Sequence, residues 1–250
     1  MRKYGLIGFP LGHSFSKKYF TEKFISENIT DCIYENYPID SIDKLLDLVM
    51  LDEEICGLNV TIPYKSEVFK FLTSYSREAE EIGAVNVIKI KRLPGHLEMK
   101  GFNSDITGIE ATLRPYINDD LKNALILGTG GSSKAVRYVL IKSGITVNLV
   151  SREKKPGVLT YEDLNKSLID ISRLIINTTP LGMFPDTRSY PPIDYGSLTE
   201  EHVLFDLVYN PEMTSFLKKG KDMGCTVVSG LRMLHSQADK AWEIWNNDAI

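Results

Sequence analysis

Cysteine and histidine are scarce in this chain of 250 residues, which holds three of the first and four of the second. Cys32, Cys56 and Cys225 stand far apart with no pair at metal-ligand spacing, and His13, His96, His202 and His235 form no i,i+4 pair. Reduced thiols and no metal site are therefore expected. A basic excess is also missing: 29 Lys and Arg face 33 Asp and Glu, a formal net charge of −4, which argues against a nucleic-acid partner held by a broad basic face. No long apolar run occurs. The stretch Tyr4–Phe9 is broken by Gly5 and Gly8 and stopped by Pro10, too short for a signal peptide, and nothing approaches a membrane span. The expected compartment is the cytoplasm, with no membrane partner. Repeats and low-complexity segments are absent as well. What remains is an ordinary globular composition, 43% hydrophobic and 25% charged, on a chain long enough for one or two domains.

Hydrophobic periodicity predicts an α/β protein of two domains. Strands are expected at 4–9, 32–39 and 57–62, alternating with helices over 16–28, 42–50, 65–72 and 77–82, so the first sheet should be mainly parallel. Segments 85–90 and 97–102 flank Pro94 and Gly95 and read as a hairpin at the sheet's edge. A helix opened by Asn103, Ser104 and Asp105 and ended by Pro115 holds the boundary. Beyond it, strands at 124–127, 146–150, 173–177, 203–206 and 225–228, with helices over 131–143, 161–168 and 213–222, describe a Rossmann-like unit. The last helix, 231–245, carries Leu231, Leu234, Ala238, Ala241, Trp242 and Trp245 on one stripe. That stripe needs a partner surface, and a return to the first unit supplies one. The expected domains are 1–104 plus 230–250, and 105–229.

Chemistry concentrates in a few places. In Asn59, Val60, Thr61, Ile62, Pro63, Tyr64 and Lys65, polar Asn59 and Thr61 alternate with apolar neighbours near the C-terminal end of a strand, where ligands of α/β sheets bind. A solvated edge strand followed by a surface lysine is the plainer alternative. Gly128, Thr129, Gly130, Gly131, Ser132 and Ser133 follow a short apolar strand and precede a helix. That is the context of a dinucleotide fingerprint, in which glycines admit the pyrophosphate to a helix N-terminus. About 20 residues on, an NAD site would carry an acidic residue; here stand Ser151, Arg152, Glu153, Lys154 and Lys155, whose cations suit the 2′-phosphate of NADP. Asn86 interrupts an apolar strand, Asp105 opens a helix, and Ser14 and Ser16 open another without the partner of a capping box. Gln237 borders the last helix's apolar stripe. Each has a structural explanation of its own, and their joint meaning depends on convergence.

Six ordered motifs make the chain resemble the shikimate dehydrogenase family along almost its whole length. They are Gly8–Ser16, Asn59–Lys65, Gly83–Asn86, Asn103–Asp105, Asn177–Met183 and Gly230–Ala238. The resemblance implies NADPH-linked reduction of 3-dehydroshikimate to shikimate, in chorismate and aromatic amino acid biosynthesis, at a site in the cleft between the domains. It implies Lys65 as acid or base with Asp105. It also implies that Ser14, Ser16 and Tyr209 bind the substrate carboxylate, and that Asn59, Thr61, Asn86, Asp105 and Gln237 bind ring hydroxyls. On the cofactor side it points to Gly128, Thr129, Gly130, Gly131, Ser132, Ser151, Arg152, Lys154, Lys155, Thr178, Leu207 and Gly230. No metal is implied, and the expected assembly is a monomer or homodimer. The chain departs from the family at Lys17, where proline is usual, and at Ser151–Glu153, where Asn, Arg, Thr is usual; Pro156 and Gly157 then cut that segment short. Rival readings are a quinate or broader shikimate-like dehydrogenase using NAD, a catalytically idle NADP-binding sensor, and an unrelated Rossmann reductase.

Overall fold

The computed structural model describes residues 1–11 and 15–247. These form two compact units, one of Met1–Ser104 with the C-terminal segment from Ala238, the other of Asp105–Gln237.

In the first unit, strands β1 (Arg2–Gly8), β2 (Cys32–Pro38), β3 (Ile55–Val60), β4 (Ser74–Tyr75), β5 (Val87–Leu93) and β6 (His96–Phe102) form one sheet in the order β2-β1-β3-β5-β6-β4. β1 runs parallel to β2 and β3, whereas β5 is antiparallel to both β3 and β6. Alternation along β1 sends Ile7 to one core and Tyr4 and Leu6 to the other. The first core, built with Leu58 and Val60 of β3, is covered by α2 (Leu45–Leu51), which contributes Leu45 and Val49. α3 (Arg77–Ile82) adds Ala79, and is capped by the Ser76 hydroxyl on the Ala79 N–H and ended by Gly83 at φ 66°. The second core is aromatic. Phe20 and Phe24 of α1 (Phe15–Ser26) meet Tyr4, Tyr34 and the C-terminal residues Ala238, Ala241, Ile244 and Trp245. The Trp245 indole donates to the Ile88 carbonyl at 3.0 Å and fills the place a side chain at Gly57 would need.

The second unit is a six-stranded, all-parallel sheet of β7 (Asn123–Leu127), β8 (Thr146–Ser151), β9 (Leu159–Thr160), β10 (Leu174–Asn177), β11 (Val203–Asp206) and β12 (Thr226–Val228), in the order β12-β11-β10-β7-β8-β9. Chain order reverses between β7 and β10, which makes the C-terminal ends of these two strands the switch point where dinucleotides bind. Buried Leu125, Leu127, Ile175 and Leu204 pack with Ile169, Phe216 and Leu217 of the flanking helices α6 (Lys166–Ile171) and α7 (Ser215–Asp222). Two longer helices, α4 (Asp105–Leu113) and α5 (Gly131–Lys142), pack on each other. The final helix, α8 (Leu231–Asn246), is shared, its residues up to Gln237 clustering with this unit and those from Ala238 with the first.

Several expectations need correction. Residues 65–72 are not a helix: a run of turns leads into a single 3-10 turn, Val68–Phe71. Thr61 and Ile62 lie beyond β3, and Ile62 is exposed rather than part of an apolar face. The hairpin does not form the sheet's edge, since two-residue β4 pairs outside β6. Helix 161–168 is replaced by a 3-10 turn at Tyr161–Asp163 and the short α6, with β9 before them. Asn86 precedes β5 instead of interrupting it.

Candidate active site

The turn that carries Lys65 is held at both ends. At its start the Thr61 N–H donates to the Ile7 carbonyl at 3.0 Å and the Phe9 N–H to the Ile62 carbonyl at 3.1 Å. In its middle Tyr64 drops into the core, only 4% exposed, with its hydroxyl on the Ile39 carbonyl at 2.7 Å. At its end the Val85 N–H donates to the Lys65 carbonyl at 2.7 Å, and the Ser66 hydroxyl to the Gly83 carbonyl at 3.0 Å. The Ile62–Pro63 peptide is cis. Lys65 itself is half-buried, its backbone fixed by neighbours distant in sequence.

Beside this turn, Asn59 accepts a hydrogen bond from the Tyr34 hydroxyl at 2.8 Å and donates to the Asn86 carbonyl at 3.2 Å. Asn86 is buried, and its side-chain carbonyl accepts from the Ser104 N–H at 2.7 Å. The Asn86 amide and the Ser104 hydroxyl are a further 3.1 Å contact. Asn103 is tied to the Ala84 carbonyl at 2.9 Å. Among the predicted substrate ligands, Ser16, Asn59, Thr61, Lys65 and Asn86 therefore belong to one unit, while Asp105, Tyr209 and Gln237 belong to the other. Asp105 is buried at the head of α4, where the helix dipole favours a carboxylate. Burial raises the pKa of the Tyr209 phenol. Ser14 lies outside the described residues.

In the second unit Gly128 leaves β7 at φ 118°, and a side chain there would strike the Thr178 hydroxyl. Thr178 is fixed by its own N–H and hydroxyl, both donating to the Leu127 carbonyl at 2.9 and 2.8 Å. The turn Gly128–Gly130 then leads into α5. Gly130 caps that helix with no side-chain bond, and open space lies where its Cβ would be. Thr129, Gly131 and Ser132 complete a helix N-terminus shaped to admit a pyrophosphate. After β8, Ser151 accepts from the Glu153 N–H at 3.3 Å, and Arg152, Lys154 and Lys155 are exposed on the loop that follows. Val158 closes that loop on Lys155 at 3.1 Å. Leu207 donates to the Asn177 carbonyl at 3.0 Å, and Gly230 packs so tightly on the Leu207 carbonyl that no side chain fits. The turn and its glycines thus fit a dinucleotide.

Beneath these loops is a hub the sequence reading did not single out. Asp206, fully buried at the end of β11, accepts from Asn177 at 2.9 Å, from the Val208 N–H at 3.0 Å and from the Thr214 hydroxyl at 2.6 Å. Asn177 in turn accepts from the Thr179 N–H and hydroxyl, so one carboxylate orders the loops bearing Thr178, Leu207 and Tyr209. Burial pushes its pKa up to about 7 against the pull of these donors. Tyr34 was missed likewise. A carboxylate ending an apolar strand is a legible signal; a tyrosine within a strand is not.

A reversed parallel sheet with a glycine turn at its switch point defines the second unit as dinucleotide-binding in kind. The family model of the shikimate dehydrogenase substrate-binding domain matches residues 6–88. A shikimate dehydrogenase (NADP(+)) of Clostridium beijerinckii is 37% identical over 260 residues, covering 98% of this chain and 92% of the relative. The crystal structure of shikimate dehydrogenase 1 from Peptoclostridium difficile, 34% identical, superposes with a TM-score of 0.83 over 100% of this chain and 94% of that one. Shikimate 5-dehydrogenase from Thermus thermophilus in complex with NADP(H) and shikimate, 28% identical, gives 0.84 over 98% and 93%. The chain belongs to the shikimate dehydrogenase family.

Proposed function

We propose that this chain reduces 3-dehydroshikimate to shikimate reversibly with NADPH, an oxidoreductase step of aromatic amino acid and chorismate biosynthesis. One observation carries the reading: full-length similarity to NADP-dependent shikimate dehydrogenases coincides with a lysine held on a turn fixed at both ends. When bound, NADPH supplies the hydride. As hydride reaches the carbonyl carbon, the oxygen gains charge and needs a proton, which Lys65 delivers with Asp105 as its partner. Ser14, Ser16 and Tyr209 take the substrate carboxylate, and Asn59, Thr61, Asn86, Asp105 and Gln237 the ring hydroxyls, so neutral groups do most of the recognition.

Substrate binding is assigned to 1–104 plus 230–250, and dinucleotide binding to 105–229. Gly128 to Ser132 hold the pyrophosphate, with Thr178, Leu207 and Gly230 beside it. Ser151, Arg152, Lys154 and Lys155 take the adenosine end, where exposed cations match a 2′-phosphate. Three free thiols accord with a cytoplasmic setting, and the proposed assembly is a monomer or homodimer. No helix among the described residues is long and apolar enough to cross a membrane. Reduction of NADP by shikimate, repeated with NAD and with quinate, tests the whole reading. Turnover with shikimate and NADP well above the other three pairs is expected; preference for quinate with NAD overturns it.

A further inference from the structure

Asn59 is an amide, and an amide can present either a donor or an acceptor to a ligand. Its orientation here is selected at both ends. The Asn86 carbonyl can only accept, so the atom 3.2 Å from it must be the Asn59 nitrogen. That carbonyl is itself held by the Val60 N–H at 2.9 Å, and the Asn86 N–H by the Phe102 carbonyl at 3.0 Å, so it cannot swing away. At the other end the Tyr34 hydroxyl donates to the Asn59 oxygen at 2.8 Å. Ser16 bonds to the same phenol, and burial raises its pKa well above the ordinary value, which keeps it protonated. The ring is packed in place. Tyr34 is 3% exposed, stacked on Phe20 with centroids 4.6 Å apart and planes 13° from parallel. These bonds take one N–H and one of the two lone pairs of the Asn59 oxygen, and the second N–H is the donor left outside them.

We propose that Tyr34 is a positioning residue: its hydroxyl, together with the Asn86 carbonyl, holds the Asn59 amide in the orientation whose second N–H meets an acceptor oxygen of the substrate. The inference rests on the functional reading above, because Asn59 must face the substrate for its polarity to matter. Removing the Tyr34 hydroxyl leaves the selection to the Asn86 carbonyl and lowers the cost of the flipped state, in which the amide carbonyl opposes the ligand's oxygen.

Tyr34→Phe tests this, since the stacked ring stays and only the hydroxyl goes. Expected are a KM for shikimate raised about tenfold, kcat within about threefold and the KM for NADP unchanged. Asn59→Ala should cost less in the Tyr34→Phe background than in the wild type, a coupling that mere loss of stability does not produce. The Asn59 side-chain N–H signals, assigned by their loss in Asn59→Ala, should shift and exchange faster in Tyr34→Phe. An unchanged shikimate KM with unchanged Asn59 signals overturns the proposal, as does a fall in melting temperature with fully additive kinetics. If the wild type fails to oxidise shikimate, the functional reading falls. The Asn59 signals then still decide whether Tyr34 sets the amide, with unchanged signals counting against it.

Discussion

Each of the two units buries a polar network at the ends of its strands, but they are built from different chemistry. In the first, the bonds joining Tyr34, Asn59, Asn86 and Ser104 run between neutral groups, hydroxyls and amides. In the second the hub is a carboxylate, Asp206, with donors from Asn177, Val208 and Thr214. A neutral network holds its geometry across the pH range, whereas a buried acid is sensitive to it. The residues proposed to meet the ring hydroxyls thus include the neutral pair Asn59 and Asn86, while the loops proposed to bear the cofactor rest on the network that titrates.

Replacing the one cation assigned to the chemistry should have the largest effect. Lys65→Ala is expected to lower kcat by about 10²- to 10⁴-fold while shikimate binding changes little; near-normal turnover would remove the lysine from catalysis. Next comes the packing beneath the neutral network. Trp245→Ala deletes an indole that is 6% exposed and hydrogen-bonded to Ile88, and should cost about 3–5 kcal/mol in denaturant unfolding. A loss below about 1 kcal/mol would mean that the aromatic core closes over the gap. On the charged side, Arg152→Ala should raise the KM for NADPH about tenfold and that for NADH much less. Equal effects on both cofactors would cancel the 2′-phosphate role.

The smallest effect, and the one that most sharpens the contrast, concerns Asp206. Its folded pKa of about 7 lies above the ordinary carboxylate value, so between the two the folded chain binds the proton that the unfolded chain has lost. This contribution to stability is complete at low pH and declines as pH rises through about 7. Asp206→Asn, which resembles the protonated acid, removes that slope. Its melting temperature relative to the wild type should therefore rise from about pH 5 to about pH 8, and a difference independent of pH would contradict the assignment. Tyr34→Phe, by contrast, should show no such trend.

How much of this was legible in the sequence depended on distance along the chain. The strands of the second unit were visible as short apolar runs such as Ala124–Leu127 and Val203–Phe205, because strands buried on both faces are continuously apolar. The glycine turn was visible for the same local reason. Residues 65–72 misled because Tyr64, Val68 and Phe71 sit at helical spacing, yet two of them are buried and Phe71 packs against the same core from turns. What decides that segment is the capture of its backbone by Ile7, Phe9 and Val85, which no local pattern encodes. β4 and β9, two residues each, are too short to carry a period. Tyr34 and Asp206 were missed as hubs because the side chains that pair with them across strands, Asn59 and Asn177, lie 25 and 29 residues away, although Asp206 also has the local partners Val208 and Thr214.

The turn bearing Lys65 has a bearing on how the chain comes to be active. Its backbone bonds reach back to Ile7 and forward to Val85, so it closes only when β1, β3 and the segment before β5 are already together. Such non-local contacts are slow to assemble, because each requires a long loop to be closed first. Recovery of activity on refolding should accordingly lag behind recovery of helix and sheet signals, and a protein that regains both reports a completed first sheet rather than a collapsed one.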